Sequence, residues 1–209
     1  MTEDYRDTEY CPGFENVKQC KREFMELFRT DHPRAKDVHR YVSNNDDIYK
    51  SHFMKVYNGK CAYCGASIKI IPKSMLEIDH FIPHTAACFN TKADAGYIEN
   101  LVLSCHTCNH NKSDFQIPIE LQEVTHPDNE GIKSLFFRDE LYYIRVADGA
   151  PEETMDFYYK LKLDRPSCRV DYLLLNMIGL YEKVADKPDI HEKLGQAIEL
   201  LREKRNSMC

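Results

Sequence analysis

The sequence predicts an α+β fold: a small unit of two strands and a helix, stapled by cysteines, embedded in a mostly helical chain with a small C-terminal hairpin. Two Cys-x-x-Cys pairs, Cys61 with Cys64 and Cys105 with Cys108, bracket the stapled unit. Between the pairs, apolar and polar residues alternate, which is the pattern of strands. Outside them, apolar residues recur at helical spacing.

The first region, residues 1–58, is predicted to be helical. Apolar side chains recur every three or four residues in Phe14–Arg29 and in Ile48–Tyr57, which is the spacing of one helix face. The dipeptide Asn58-Gly59 follows, and glycine often ends a helix because it adopts the left-handed conformation without strain. The second predicted helix therefore leads directly into the first cysteine pair.

The second region, residues 59–116, is predicted to be strand, strand, helix. Met75–Ile82 alternates apolar and polar residues up to Pro83, and proline is excluded from strand interiors. After a long polar loop the sequence predicts a short strand over Asn100–Ser104. A helix is then predicted from Thr107 to Ser113.

The third region, residues 117–209, is predicted to contain a hairpin and three helices. Ser134–Val146 is rich in Phe, Tyr and Ile, as strands are, and the polar Arg138–Glu140 is its predicted turn. Glu152 and Glu153 favour the start of a helix, where negative charge suits the helix dipole. The three predicted helices are 152–163, 166–184 and 188–204.

The composition is that of a polar globular chain. The 209 residues are 43% hydrophobic and carry a formal net charge of −6, which suits one medium domain or a small domain with an appendage. No apolar run could span a bilayer, and the polar start Met1–Asp4 is unlike a signal peptide. Nine cysteines, an odd count, fit a reducing compartment. We therefore expect a cytoplasmic protein with no membrane contact.

The paired cysteines predict a structural metal site. Two thiolates on each of two tight turns supply four sulfur ligands, the tetrahedral set of structural zinc, with no position left open for chemistry. Buried free thiols or a redox pair are the alternative for the same residues. The doubled spacing favours Cys61, Cys64, Cys105 and Cys108 as ligands of Zn²⁺.

A second, catalytic site is predicted beside the two cysteine pairs. Asp79, His80, Asn100 and Asn109 are residues of the kinds that bind hard cations and move protons. Neutral imidazole accepts a proton near physiological pH, so His80 is the predicted general base and His84 the next candidate. Carboxylate and amide oxygens suit a hard divalent cation, so Asp79 and Asn109 are the predicted ligands of Mg²⁺ or Mn²⁺.

Four motifs follow one another in order: Cys61–Gly65, Glu77–Pro83, Glu99–Cys105 and Cys108–Asp114. Together they resemble the HNH nucleases of the ββα-metal type, over residues 53–115. The Asp-His, Asn-x-Val-Leu and Asn-x-x-Lys-Ser-Asp elements also occur in the HNH domain of RNA-guided CRISPR nucleases, which lacks the cysteines. The resemblance implies a zinc-stapled ββα-metal core that hydrolyses DNA, with the cysteines as scaffold.

The resemblance adds two residue roles. Asn100 is implied to brace the loop between the strands with its amide and so to aim His80. Lys112 follows Asn109 by about one helical turn and would share its face. We therefore expect Lys112 to contact a phosphate of the substrate.

A second resemblance concerns the C-terminal region. Its motifs are Thr125–Pro127, Leu135–Phe137, Glu153–Met155 and Lys162–Arg165. Their layout is similar to that of the HNH subunits of Septu and retron-associated anti-phage systems, in which the nuclease works with an ATPase of the ABC/SMC type. This implies a prokaryotic defence role with an ATPase partner. Because this chain is acidic and duplex-binding proteins are usually basic, that partner would hold the DNA, docked on the region after Ile117 and on the N-terminal helices.

Two other functions stay open from the sequence. A zinc-stapled module without catalysis would bind nucleic acid or protein, and it would be expected to have lost Asp79, His80 or Asn109, all of which are present. A stand-alone restriction-like nuclease would need a basic recognition surface, and a net charge of −6 does not indicate one.

Overall fold

The computed structural model describes residues 4–44 and 48–208, and it confirms the α+β class. The helices of this part of the chain are α1 (Val17–Asp31), α2 (His39–Val42), α3 (Ile48–Val56), α4 (His106–Lys112), α5 (Gln122–Thr125), α6 (Ile132–Leu135), α7 (Glu153–Lys160), α8 (Pro166–Lys183) and α9 (Pro188–Asn206). The strands are β1 (Leu76–His80), β2 (Leu101–Cys105), β3 (Phe136–Arg138) and β4 (Ile144–Val146).

The centre of the fold is an antiparallel pair of strands followed by a helix. β1 pairs with β2 from Leu76 opposite Cys105 to His80 opposite Leu101. α4 begins immediately after β2 and contacts both strands. Every residue of β2 is buried, as expected of a strand covered on both faces. The predicted order of strand, strand and helix is confirmed.

β1 ends at His80, two residues before the predicted end at Ile82. Phe81 N donates to Asn100 O at 2.8 Å, and this backbone bond extends the pairing just beyond the two strands. At Ile82 the Asn100 side chain replaces the backbone as hydrogen-bond partner. Its Oδ1 accepts from Ile82 N at 2.8 Å, and its Nδ2 donates to Ile82 O at 3.0 Å. A side-chain amide thus stands in for a strand partner, and the chain leaves the sheet directly after His80.

The N-terminal helices α1 and α3 form near their predicted positions. α1 begins at Val17 rather than Phe14 because Asn16 adopts a left-handed backbone with φ 54°. Phe24 packs on Phe28 and Phe53 at ring distances of 6.0 and 5.7 Å. These aromatic contacts join the two helices into one buried layer.

The segment before α1 contacts the ββα unit in an arrangement that the sequence pattern did not predict. Tyr5 Oη donates to Tyr63 O at 2.6 Å, between the first two cysteines. The neighbouring Arg6 is fully buried, donates to Ala62 O at 2.7 Å and forms an ion pair with Asp4 at 2.8 Å. Tyr5 and Arg6 therefore anchor the turn that carries the first cysteine pair.

The predicted C-terminal hairpin is present but shorter than expected. β3 pairs with β4 from Phe136 opposite Val146, whereas Ser134 lies in α6. The turn follows Asp139, whose Oδ1 accepts from the backbone N–H of Leu141 and of Tyr143 at 3.0 and 2.9 Å. Asp favours turns because its side chain makes such local bonds.

The long helices α8 and α9 begin at prolines, as their positions predicted, because proline is tolerated in the first turn. They pack on each other around Leu174, Ile178 and Ile198. Gly179 lies where the N-terminal segment crosses α8: an added Cβ would sit 2.8 Å from the carbonyl carbon of Glu9. Only glycine allows this close approach of two backbones.

The main hydrophobic core runs through all three regions of the chain, from Tyr5 to Cys168. The ββα unit and its two extensions therefore share one buried interior. Among the residues that the structure describes, no helix is both long enough and apolar enough to cross a membrane.

Candidate metal centre and catalytic cleft

The first cysteine pair lies on a turn tied to the sheet. Cys61 N donates to Ala66 O at 2.8 Å, and Ala62 N donates to Leu103 O in β2 at 2.7 Å. The turn closes at Gly65, which has φ 79°, a backbone conformation that favours glycine. The second pair follows from the fold itself: Cys105 ends β2 and Cys108 lies in the first turn of α4.

The four sulfur atoms converge into one buried cluster. All four Sγ atoms lie within 4.8 Å of one another. Tetrahedral zinc with bonds of about 2.3 Å separates its sulfur ligands by about 3.8 Å, and the Sγ atoms of Cys64 and Cys105 are 3.7 Å apart. The donor set and its spacing fit a metal such as zinc. One four-sulfur cluster, rather than two separate pairs, argues against the redox-pair alternative.

Arg165 also reaches this cluster, and the sequence pattern did not reveal it. Its guanidinium donates to the Sγ atoms of Cys64, Cys105 and Cys108 at 3.3 to 3.7 Å. The sequence separation of 57 between Cys108 and Arg165 hides this contact from any local motif.

Polar side chains of β1 and α4 pair across the space between the two elements. Alternate residues of a strand point to one face, so Glu77 and Asp79 both face α4. Residues three apart on a helix also share a face: His106 and Asn109 meet Glu77 at 2.7 and 2.6 Å, and Lys112 meets Asp79 at 3.1 Å. Two acidic residues of β1 thus form hydrogen bonds with three polar residues of α4.

Glu77 orients the Asn109 amide. Asn109 Nδ2 donates to Glu77 Oε2 at 2.6 Å. An ionised carboxylate only accepts hydrogen bonds, so the amide atom beside it is the nitrogen. The Asn109 oxygen is therefore the atom left for a cation or a substrate. The period-two pattern of β1 placed Glu77 beside Asp79, but it assigned Glu77 no role.

Asp79 is buried and held by two donors. Tyr63 Oη donates to its Oδ2 at 2.6 Å and Lys112 Nζ to its Oδ1 at 3.1 Å. Burial raises the pKa of the Asp79 carboxyl, and the nearby Lys112 acts in the opposite direction. Each carboxylate oxygen has two acceptor sites, so one on each remains for a cation. Asp79 can therefore be both anchored and available.

The structure corrects the role expected for Lys112. Its side chain is fully buried, and its Nζ also donates to His80 O at 2.8 Å. The cause is the helix face that it shares with Asn109, which turns Lys112 toward the strand rather than toward solvent. Lys112 thus holds Asp79 and the backbone of His80, and it is not placed to contact a phosphate.

His80 ends β1 and keeps one unpaired ring atom. Its Nε2 is buried and has no hydrogen-bond partner within the described chain. Burial lowers the pKa of His80 to about 3, helped by the nearby His39 and His84 and by Lys92 and Lys112. The imidazole is therefore neutral at physiological pH. A buried polar atom without a protein partner is available to bond a water, an ion or a substrate.

His39 packs on His80, and the sequence analysis missed it. The two rings lie 4.1 Å apart with an angle of 31° between their planes, and His39 Nε2 is 3.1 Å from Ile78 O in β1. α2 is held there because Val38 N donates to Gly96 O at 2.8 Å. α2 is one turn long, so no helical periodicity could reveal it.

Asn100 lies between two loop segments. Besides its two bonds to Ile82, its Nδ2 donates to Ala95 O at 2.9 Å, and the side chain is buried. This arrangement matches the bracing contacts that were expected. The effect of Asn100 on the aim of His80 stays a prediction.

A cleft of about 380 Å³ opens between these elements. Asp79, His80 and Asn109, which lie far apart in the sequence, all line it. The His84 ring lies 5.8 Å from that of His80. The other lining residues are His39, Ile78, Pro83, Thr85, Lys92, His110, Ser113 and Asp114.

Comparison with known proteins agrees with this geometry. Residues 61–115 match the family model of the HNH endonucleases. The chain is also 29% identical over 130 residues to the Septu protein PtuB of Bacillus mycoides (strain KBAB4), covering 56% of this chain and 41% of that protein. The chain thus spans about two fifths of the length of this relative. No solved structure matches.

The family match begins at the first cysteine of the metal centre and ends just after α4. It therefore contains the four clustered cysteines together with Asp79, His80, Asn100 and Asn109. Residues 61–115 are an HNH endonuclease domain, carried in a chain that is similar to the Septu protein PtuB.

Proposed function

We propose that this protein is a metal-dependent endonuclease that hydrolyses DNA phosphodiester bonds as an effector of anti-phage defence. The observation that carries the proposal is the cleft in which Asp79, His80 and Asn109 meet. These three residues supply a carboxylate, a neutral imidazole and an amide oxygen in one concave site. That set suits the activation of water beside a bound phosphate.

His80 is the proposed general base. It takes the proton of the attacking water at Nε2, the ring atom without a partner in the described chain. A bound phosphate carries negative charge, which raises the proton affinity of a nearby imidazole. Substrate binding would therefore move the pKa of His80 upward from its low value toward one useful for proton transfer.

Asp79 and the Asn109 oxygen are the proposed ligands of the catalytic cation, Mg²⁺ or Mn²⁺. When bound, such a cation offsets the negative charge that grows on the phosphate and on the leaving oxygen. Tyr63 and Lys112 fix the Asp79 carboxylate, while Glu77 fixes the Asn109 amide. Ligands held by neighbours in this way lose little freedom when they bind.

Basic residues at the cleft support a nucleic-acid substrate. Lys92 lines the cleft and is exposed. Arg34, Lys36 and Arg40 are exposed residues of α2 and of the segment before it, next to His39. Local positive charge beside the cleft suits phosphate contacts, even though the whole chain carries a net charge of −6.

An ATPase subunit of the ABC/SMC type is the proposed partner. Residues 117–209 carry 18 acidic and 13 basic side chains, so the acidic excess lies largely in this region. The same region has a groove of about 560 Å³ lined partly by Tyr142, Tyr172 and Leu180. Leu141 beside Tyr142 is 63% exposed. An apolar groove beside exposed apolar side chains supports protein docking better than DNA binding.

The decisive test of catalysis is His80→Ala. We expect at least about 100-fold slower cleavage of plasmid DNA in Mg²⁺ or Mn²⁺, as for the loss of a general base. Metal content of the cysteine site and melting temperature should stay unchanged. His110→Ala is the matched control, because His110 lines the same cleft but is exposed.

The assay is run with the chain alone and with the proposed ATPase subunit co-expressed. No divalent-dependent cleavage in either condition would favour a binding module without catalysis. Full cleavage and tight DNA binding by the chain alone would favour a stand-alone nuclease.

A further inference from the structure

Arg165 joins the C-terminal helices to the four-cysteine cluster. It is the residue before α8, which begins at Pro166. Its Nη2 lies 3.3 Å from Cys64 Sγ and 3.7 Å from Cys105 Sγ, and both terminal nitrogens lie 3.6 Å from Cys108 Sγ. These distances are normal for hydrogen bonds to sulfur, which is a larger atom than oxygen.

The guanidinium is fixed from its own side of the contact. Arg165 Nη1 also donates to the carbonyls of Leu161 and Lys162 at 3.1 and 2.9 Å. The turn between α7 and α8 is anchored by the buried side chains of Leu161 and Leu163. The planar fork of arginine is therefore oriented before any metal binds, which lowers the entropy cost of the contact.

The charge of the metal-bound cluster explains why the cationic side chain of Arg165 is favourable beside it. A guanidinium only donates hydrogen bonds, so the three sulfur atoms that Arg165 contacts are the acceptors. Four thiolates around Zn²⁺ carry a net charge of −2, and burying that charge is costly unless it is paired. Arg165 offsets part of it. α8 adds to the effect, because its N-terminal end, the positive end of the helix dipole, lies at the same place.

We propose that Arg165 is an integral part of the metal centre. Its guanidinium helps to retain the metal, and the same contacts hold the start of α8 against the ββα unit. The inference rests on the proposed zinc site but not on nuclease activity. Removing the guanidinium should loosen the metal and the start of α8 together. Removing a cation elsewhere on α8 should do neither.

The test compares Arg165→Gln and Arg165→Lys with the wild-type protein. Arg169→Gln is the control, since Arg169 lies about one turn further along α8 and bonds to Leu141 O at 2.6 Å. Zinc content is measured by mass spectrometry, and zinc loss is followed by transfer to a chromophoric chelator. We expect loss about 10- to 100-fold faster in Arg165→Gln, the usual effect of removing a neighbour of metal ligands. Arg165→Lys should be intermediate, because lysine keeps the charge but lacks the fork.

Two further readouts separate a local effect at the sulfur cluster from a general loss of stability. In the cobalt-substituted proteins, loss of hydrogen bonds to sulfur should move the thiolate-to-metal charge-transfer band of Arg165→Gln to lower energy. Hydrogen exchange in the zinc-loaded proteins should become faster at the start of α8 and stay unchanged in β1 and β2.

Zinc loss at the wild-type rate with an unshifted cobalt band would overturn the inference while leaving the metal centre intact. A wild-type chain that binds no zinc at its four cysteines would show that the metal centre itself is wrong. The two failures are therefore distinguishable.

Discussion

The two ends of the ββα unit differ in how completely their polar atoms are paired. At the cysteine end, the four sulfurs lie within 4.8 Å of one another, and three of them accept from Arg165. At the cleft end, His80 keeps a buried Nε2 with no partner in the described chain. A closed, fully paired site suits a structural metal. An unpaired group beside a cleft suits chemistry, because the substrate completes the pairing.

A single helix serves both ends. Cys108 and Asn109 are adjacent in α4, yet Cys108 joins the sulfur cluster and Asn109 lines the cleft. Successive helical residues point about 100° apart, so neighbours in sequence can face different sites. One turn of α4 therefore joins the sulfur cluster to the cleft.

The largest expected effect comes from the cysteine end. Cys61→Ala should release one equivalent of zinc and unfold the HNH domain, because structural zinc contributes folding free energy directly. Zinc content and thermal unfolding are the measurements. A stoichiometrically loaded variant with a normal melt would show that the cluster is not the scaffold, and the contrast between the two ends would fail. Cys88→Ala is the control, since Cys88 is exposed and outside the cluster.

The next effect concerns the boundary between stability and catalysis. Lys112→Met removes the buried partner of Asp79, so the free energy of unfolding should fall by about 3 kcal/mol. Adding Asp79→Asn should recover part of that loss, because no uncompensated carboxylate then remains. Chemical denaturation of the single and double variants measures the coupling. Unchanged stability with weaker DNA binding would instead support a phosphate contact for Lys112.

A smaller effect is expected at His39, which positions His80 without being required for the fold. His39→Ala should lower kcat by about five- to tenfold, since an aromatic contact contributes about 1 kcal/mol. His39→Phe keeps a ring against His80 and should recover much of the rate. A loss of melting temperature in place of a loss of kcat would make His39 merely structural.

The smallest effect on the isolated chain is expected at Leu141, which belongs to neither end. Leu141→Asp should change stability by less than about 0.5 kcal/mol, as exposed substitutions usually do. It should nevertheless reduce co-purification with the ATPase subunit. Ile119→Asp is a matched control, because Ile119 is also strongly exposed but, unlike Leu141, has no sequence neighbour that lines the groove. Equal co-purification of both variants would place the partner elsewhere.

Local patterns predicted the parts of this molecule that depend on local physics. The spacing of Cys61 and Cys64 requires a tight turn, and the alternation in β1 requires one buried face. Both features are encoded within a few residues, and the structure has both. The HNH resemblance then pointed to Asp79, His80 and Asn109, which the fold brings into one cleft.

The residues that sequence reasoning missed act across long separations. His39 reaches Ile78 over 39 residues, and Arg165 reaches Cys64 over 101. Neither belongs to a periodic pattern, so no window of sequence could pair them. Lys112 was misjudged for a related reason: spacing on α4 placed it on the correct face but did not reveal that β1 covers this face.

The anchoring of the first described residues has a consequence for synthesis. Tyr5 bonds to Tyr63 through its side chain and accepts from Arg138 Nε through its backbone carbonyl at 2.7 Å, across 133 residues of chain. Arg165 must emerge later still to reach the sulfur cluster. A chain growing from the ribosome therefore carries Asp79 and His80 long before Arg138 and Arg165 are made. A nascent fragment that ends before Arg138 can form neither of these long-range contacts.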